Sequence, residues 1–305
     1  MKKLIFVIGI LCLVSCASNE SQKGTETDQN DTEMTGLELP PPVIPPDITD
    51  PAEKTAYNVL HFWDAMDFAD TVRSLNRDFI EQNFVNFIYA FGFVSEDTRR
   101  DAARILLERA RVQPEAYQLI TEVAETYLFD PESPMASDEL YIPFLEYMIE
   151  SPYPDKVSAI RPSIQLEAAK SNLPGTRAAD FDFVTRQGVK SSLYEEINGL
   201  RSHDSRLLLV FYDPDCEHCH EVMTRVAADD GLNVQINSGL LKIVAIYSGD
   251  FNESWQEDAN NLPDTWIVGY EDGTVQDDGR FILRASPTAF LIGADKNVVA
   301  KDVRL

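Results

Sequence analysis

Basic side chains are scarce in this chain: 26 Lys and Arg stand against 51 Asp and Glu in 305 residues, a formal net charge of −25. So acidic a surface repels phosphate backbones, which argues against nucleic acid as a partner and accounts for solubility. Long apolar runs are lacking too. The run from Leu4 to Val14 falls short of the roughly 20 residues that span a bilayer. Cysteine is rarer still, at four in the whole chain. The apolar content of 44% is ordinary for globular protein, and 305 residues suffice for two domains, each with a buried core.

Lys2 and Lys3 precede the short apolar run, the pattern of a signal peptide rather than of a membrane helix. It ends in Leu13-Val14-Ser15-Cys16, which resembles the lipobox of bacterial lipoproteins. The resemblance implies cleavage after Ser15 and acylation of Cys16. Two or three acyl chains on one cysteine hold far more firmly than one. The rival reading is an ordinary secretory signal with a chance cysteine. On the anchored reading Cys12 leaves with the signal peptide, and the mature protein keeps only the thiols of Cys216 and Cys219. Export places them where disulfides persist. Cross-linking of distant segments has no further cysteine to use, so a pair this close in sequence points to redox chemistry.

The expected organisation has four parts: a signal peptide over 1–15, a lipidated cysteine and tether over 16–52, a helical domain over 53–172 and an α/β domain over 173–305. The tether is polar and acidic up to Glu38 and then carries Pro40, Pro41, Pro42, Pro45 and Pro46, which favour extended geometry. Helical spacing follows in Phe84, Phe87, Ile88 and Phe91, and a helix opens at Ser95 and runs through Ile105, Leu106 and Ala110. Further helices are expected over 115–128, 138–150 and 156–170, with Pro143 and Pro162 kinking or displacing the last two. The aromatics between Phe79 and Phe93 read as core, and His61 as a packed residue. After Leu173-Pro174-Gly175 the period changes. Leu207 to Tyr212 is a continuous apolar run bounded by charge, as a strand covered on both faces requires. Strands are also expected at Phe181–Val184, 240–247, 288–292 and 297–301, and helices at 192–200 and 252–261. That order gives an α/β fold with a mixed sheet.

The chemistry concentrates in Phe211-Tyr212-Asp213-Pro214-Asp215-Cys216-Glu217-His218-Cys219-His220. A buried strand ends, the chain turns at Pro214, and a helix begins near Cys216. Free amide N–H groups and the positive end of the helix dipole favour a thiolate there. The Cys-x-x-Cys spacing lets the sulfurs meet, the first attacking and the second resolving. A zinc site would need four ligands; His218 and His220 lie too near the cysteines, and no second pair exists. A copper-chaperone spacing and the Thr of thiol peroxidases are also missing. No metal or organic cofactor is expected.

Gly175, Asp180-Phe181, Gly188, Leu193, Leu209-Val210-Phe211-Tyr212 and Cys216-Glu217-His218-Cys219 together resemble the TlpA/ResA-type thioredoxin-like proteins of bacterial envelopes. Arg284-Ala285-Ser286-Pro287-Thr288-Ala289-Phe290-Leu291-Ile292 extends the likeness, which covers about residues 173–303. It implies a thioredoxin-like fold, a cis peptide before Pro287 beside the cysteines, and Ser286 as the backbone that pairs with a substrate strand. Tyr141-Ile142-Pro143-Phe144-Leu145 looks like an N-terminal domain of unknown function found before such domains in some lipoproteins, and implies no activity.

Two departures from the family pattern bear on activity. Asp215 replaces the usual aromatic before the first cysteine, and with Asp213, Glu217 and Glu221 it opposes a thiolate. His218 pushes the other way, being similar to the residue of the more oxidising members. Secondly, the sequence given ends at Leu305 without the usual C-terminal helix, so helical-domain residues are expected to cover that face of the sheet. The leading expectation is an envelope thiol–disulfide oxidoreductase, a reductase by preference. Cys216 would be its nucleophile, Cys219 its resolving thiol, Pro287 and Ser286 its substrate platform, and Asp215, Glu217 and His218 its modulators. Protein thiols and disulfides would be the substrates, a membrane partner the electron donor, and Cys16 the periplasm-facing anchor. The alternative is a partner-binding lipoprotein that uses the thioredoxin fold as an adaptor.

Overall fold

The computed structural model describes residues 38–305; the expected signal peptide, Cys16 and most of the tether lie outside the described residues. The last stretch of the tether, 38–50, has neither helix nor strand. It is nevertheless held: Leu39 is buried, and its N–H donates to Asn83 Oδ1 at 2.8 Å.

Helices fill the first half: α1 (Pro51–His61), the short α2 (Thr71–Ser74), α3 (Arg77–Phe91), α4 (Glu96–Ala110), α5 (Pro114–Leu128), α6 (Asp138–Glu150) and α7 (Ile160–Lys170). Their starts follow from local chemistry. The Asp50 carboxylate accepts from the N–H of Ala52 and Glu53, Asn76 caps Phe79, and Ser95 caps Thr98. Pro114 opens α5, where its missing N–H costs nothing. The aromatics Phe84, Phe87 and Phe91 of α3 are fully buried, meeting Phe144 of α6 at ring distances of 5.9 Å from Phe84 and 5.7 Å from Phe91. The prolines act more mildly than expected. α6 continues through Pro143. Pro162 lies in the first turn of α7, preceded by a 3-10 turn over Lys156–Ala159.

The second half builds a mixed seven-stranded sheet: β1 (Asp182–Thr185), β2 (Lys190–Ser192), β3 (Arg206–Tyr212), β4 (Leu241–Ser248), β5 (Ile267–Glu271), β6 (Thr288–Gly293) and β7 (Val298–Lys301). Their order across the sheet is β2-β1-β5-β4-β3-β6-β7. β3, β4 and β5 run parallel, while β6 and β7 close one side antiparallel. Short α8 (Leu193–Asn198) follows β2, and α9 (Glu217–Ala227), α10 (Asp230–Ser238) and α11 (Glu253–Asn261) connect the parallel strands. α12 (Thr274–Asp277) follows β5.

β3 shows why an unbroken apolar run belongs at the centre. Leu207, Leu209 and Phe211 face one layer with Phe181, Phe281 and Phe290. Leu208, Val210 and Tyr212 face the other with Val222, Met223, Trp255 and Cys219. β5 was not expected. A β-carbon at its Gly269 would sit 2.6 Å from the Phe183 ring and 2.9 Å from the Val184 carbonyl, so only glycine lets β1 approach there.

Residues 38–305 form one compact unit. Val303 and Leu305 pack against the α9 layer, where Arg225 Nη2 donates to the Leu305 carbonyl at 2.7 Å. Arg304 donates to the Ser133 carbonyl, so the helical region meets this C-terminal segment through the loop between α5 and α6 rather than through a helix.

Candidate functional site

β3 delivers the motif to the C-terminal end of the central strands and α9 receives it. Asp213 Oδ1 accepts the N–H of Asp215 at 2.9 Å, and the Asp213 carbonyl accepts that of Cys216 at 3.2 Å, which turns the chain. Cys216 is then the N-cap of α9. Its Sγ accepts the N–H of Cys219 at 3.3 Å, so the nucleophile candidate takes the place a Ser or Asp holds at other helix starts. Cys216 is half-buried and Cys219 buried. Burial pushes the Cys219 thiol up to about 11, partly offset by hydrogen bonds from the Asp213 backbone and the Ser286 side chain.

The second half of the site comes from the segment before β6. The Ser286–Pro287 peptide is cis. Ser286 touches both sulfurs: its Oγ lies 3.1 Å from Cys219 Sγ, and its carbonyl accepts from Cys216 Sγ at 3.9 Å. The structure therefore brings Cys216, Cys219, Ser286 and Pro287 together. Glu217 and His218 are exposed on the first turn of α9. Asp215 is exposed and accepts from Ser254 Oγ at 2.9 Å, which ties the motif to α11. Pro287 and His218 border a cavity of about 240 Å³, whose other wall is Pro131, Glu132, Val303 and Leu305.

Sequence reading missed a pair behind Cys219. His220 Nε2 lies 2.7 Å from the Pro214 carbonyl, which only accepts, so Nε2 carries a proton. Its Nδ1 lies 3.0 Å from Asp258 Oδ1. Burial raises the Asp258 carboxyl, and His220 works against that rise. Both line a cavity of about 430 Å³ with Cys219 and Tyr212. His220 was visible beside the motif; nothing in the linear sequence marked Asp258, which arrives on a helix from the next crossover. Among the described residues no group of three or more His, Cys, Asp or Glu is arranged to hold a metal. No described helix is long and apolar enough to cross a membrane.

The strand order, the cysteine pair at the end of β3 and the cis proline opposite it define a thioredoxin-like fold. Residues 15–172 match the model of a domain of unknown function, DUF5106. The crystal structure of a thioredoxin-like protein from Bacteroides caccae is 31% identical, spans 87% of this chain and 94% of its own, and superposes with a TM-score of 0.74. The chain thus belongs to the thioredoxin-like proteins that carry an N-terminal DUF5106 region. A conserved protein of unknown function from Bacteroides fragilis is also 31% identical, over 44% of this chain and 93% of its own, with a TM-score of 0.39. The C-terminal domain of an uncharacterised protein from the same species is 28% identical over 44% of this chain and 92% of its own, with a TM-score of 0.40. No curated protein matches the chain.

Proposed function

We propose that the chain is a thiol–disulfide oxidoreductase of the bacterial envelope, working as a reductase of protein disulfides. The observation that supports this best is the Cys219 N–H aimed at Cys216 Sγ, 3.3 Å away at a helix start, with Ser286 against both sulfurs. The Cys216 thiolate attacks one sulfur of a substrate disulfide; that S–S bond breaks, and the released sulfur takes a proton. Cys219 then loses its proton and attacks Cys216 Sγ. The mixed disulfide breaks, the second substrate sulfur leaves as a thiol, and a Cys216–Cys219 disulfide remains. Two electrons have passed to the substrate. A membrane-bound dithiol donor returns them, the Ser286–Pro287 segment holds the substrate strand, and Asp215, Glu217 and His218 set the potential. In this reading residues 1–15 are removed, Cys16 is acylated, 16–52 is the tether, and the 53–172 and 173–305 regions face the periplasm.

A second reading, the adaptor, draws support from the exposed carboxylates of Asp213, Asp215 and Glu217 around the nucleophile. A trapping experiment separates the two. Cys219→Ala should accumulate a covalent mixed disulfide through Cys216 with a purified disulfide-bonded protein. An equally folded variant that forms no such adduct rejects exchange in favour of the adaptor.

A further inference from the structure

The segment carrying Ser286 and Pro287 is gripped from the helical region, two residues upstream of the serine. Arg284 keeps only 9% of its side chain exposed and meets Asp138 twice, Nη1–Oδ1 at 2.8 Å and Nη2–Oδ2 at 3.3 Å. Nη2 also meets the Asp302 carboxylate, and Nη1 donates to the Phe129 carbonyl at 3.4 Å. The guanidinium carbon lies 4.5 Å from the centre of the Phe129 ring. Lys301 Nζ reaches Asp138 Oδ2 at 2.8 Å and donates to the carbonyls of Ala168 and Ser171 at 2.7 and 2.8 Å. Two cations and two carboxylates balance within the cluster, so it serves geometry rather than capture of a further ion.

The placement of these anchors matters. Asp138 is the first residue of α6, and Phe129 follows the end of α5. Arg284 carries their hold into the redox site along the main chain. Ala285 donates to Thr288 Oγ1 at 3.3 Å, closing the turn around Pro287, and Ser286 touches both sulfurs. A packed apolar side chain would fill the same volume, whereas a buried two-point ion pair also fixes direction.

We propose that Asp138 and Arg284 are positioning residues of the cysteine pair, through which the DUF5106 region holds the Ser286–Pro287 segment against Cys216 and Cys219 and sets their reactivity. The inference rests on the exchange reading and adds to it a role for the helical region.

The test uses the full chain. Alkylation of Cys216 is followed by peptide mass between about pH 5 and pH 10, alongside equilibration with glutathione, in wild type, Asp138→Asn, Asp138→Glu and Arg109→Gln. Arg109 pairs with Asp64 at 2.9 Å elsewhere in the helical region and controls for general loss of an ion pair. Asp138→Asn should change the alkylation rate and the glutathione equilibrium by about threefold or more. Asp138→Glu should recover part of that change, and Arg109→Gln should follow wild type. A folded Asp138→Asn whose alkylation profile and equilibrium match wild type overturns the proposal. Should Asp138→Asn fail to fold, Arg284→Lys takes its place, keeping the charge but losing the two-point grip, with the same expected and overturning results. A wild-type pair that never equilibrates with glutathione defeats the exchange reading alone, because the alkylation comparison needs no exchange.

Discussion

The two cysteines occupy unlike surroundings three residues apart, as the proposed order of action requires. Cys216 is half-buried at a helix N-cap, while Cys219 is buried with its thiol pushed up to about 11. Cys219 therefore keeps its proton at neutral pH and, on the exchange reading, loses it as it attacks. The resolving step should accelerate as pH rises toward that value, read as release of the second product in rapid-mixing experiments. Ser286→Ala removes the hydroxyl 3.1 Å from Cys219 Sγ and should slow the same step by about three- to tenfold, with first attack by Cys216 little changed. The same burial bears on stability. A thiol raised from 9.0 to about 11 by folding holds its proton longer in the native state than in the unfolded chain. The stability present below about pH 9 should then fall as pH climbs toward 11, and Cys219→Ala should flatten that decline in denaturant titrations.

Elements show how far sequence carries. The run Leu207–Tyr212 announced a doubly covered strand because every position of β3 but the first is buried. The cap at Ser95 and the proline opening α5 likewise sit where their chemistry requires, whereas the Asn76 cap of α3 was not read from the sequence. β5 escaped notice because it has five residues and a central glycine, and its partners β1 and β4 are distant in sequence. α10 was missed for another reason: none of its residues is fully buried, and its apolar stripe is only the half-buried pair Leu232 and Ile236. The cysteine half of the site was legible as a local pattern. Its Ser286–Pro287 half was legible only through family likeness, and Asp258 and Asp138 were not legible, since their roles come from pairing across the fold. At this scale the aromatic layer is the strongest stability claim. Phe211 is 2% exposed and lies 5.4 Å from the Phe281 ring and 5.8 Å from that of Phe181. Phe211→Ala should cost about 3–5 kcal/mol in urea unfolding. Tyr89→Ala, at a side chain 73% exposed, should cost less than about 0.5 kcal/mol.

Across the whole molecule, the helical region and the sheet share buried charge rather than a loose surface. Lys301 is held at 5% exposure; desolvation lowers its pKa, and Asp138 resists that shift. Removing one member of such a cluster strands the others, at a cost of about 3–5 kcal/mol. The two regions should therefore unfold together. Far-ultraviolet signal is dominated by the helices of the first half. Fluorescence from Trp255 in α11 and Trp266 just before β5 is read in a Trp63→Phe background, because Trp63 is buried in the helical region. The two signals should give coincident thermal transitions; two separated transitions would contradict a shared core. The net charge of −25 acts at the same scale and, on the exchange reading, would favour basic surroundings on a partner's disulfide.

The central claim, that Cys216 and Cys219 form a working dithiol–disulfide couple, meets its most direct test in a redox titration. The full chain is equilibrated in graded dithiol buffers, quenched with a mass-tagged alkylating reagent and read by mass. The account predicts one reversible two-electron transition between about −120 and −300 mV, abolished in Cys216→Ser. A pair that stays fully reduced or fully oxidised across that range contradicts it.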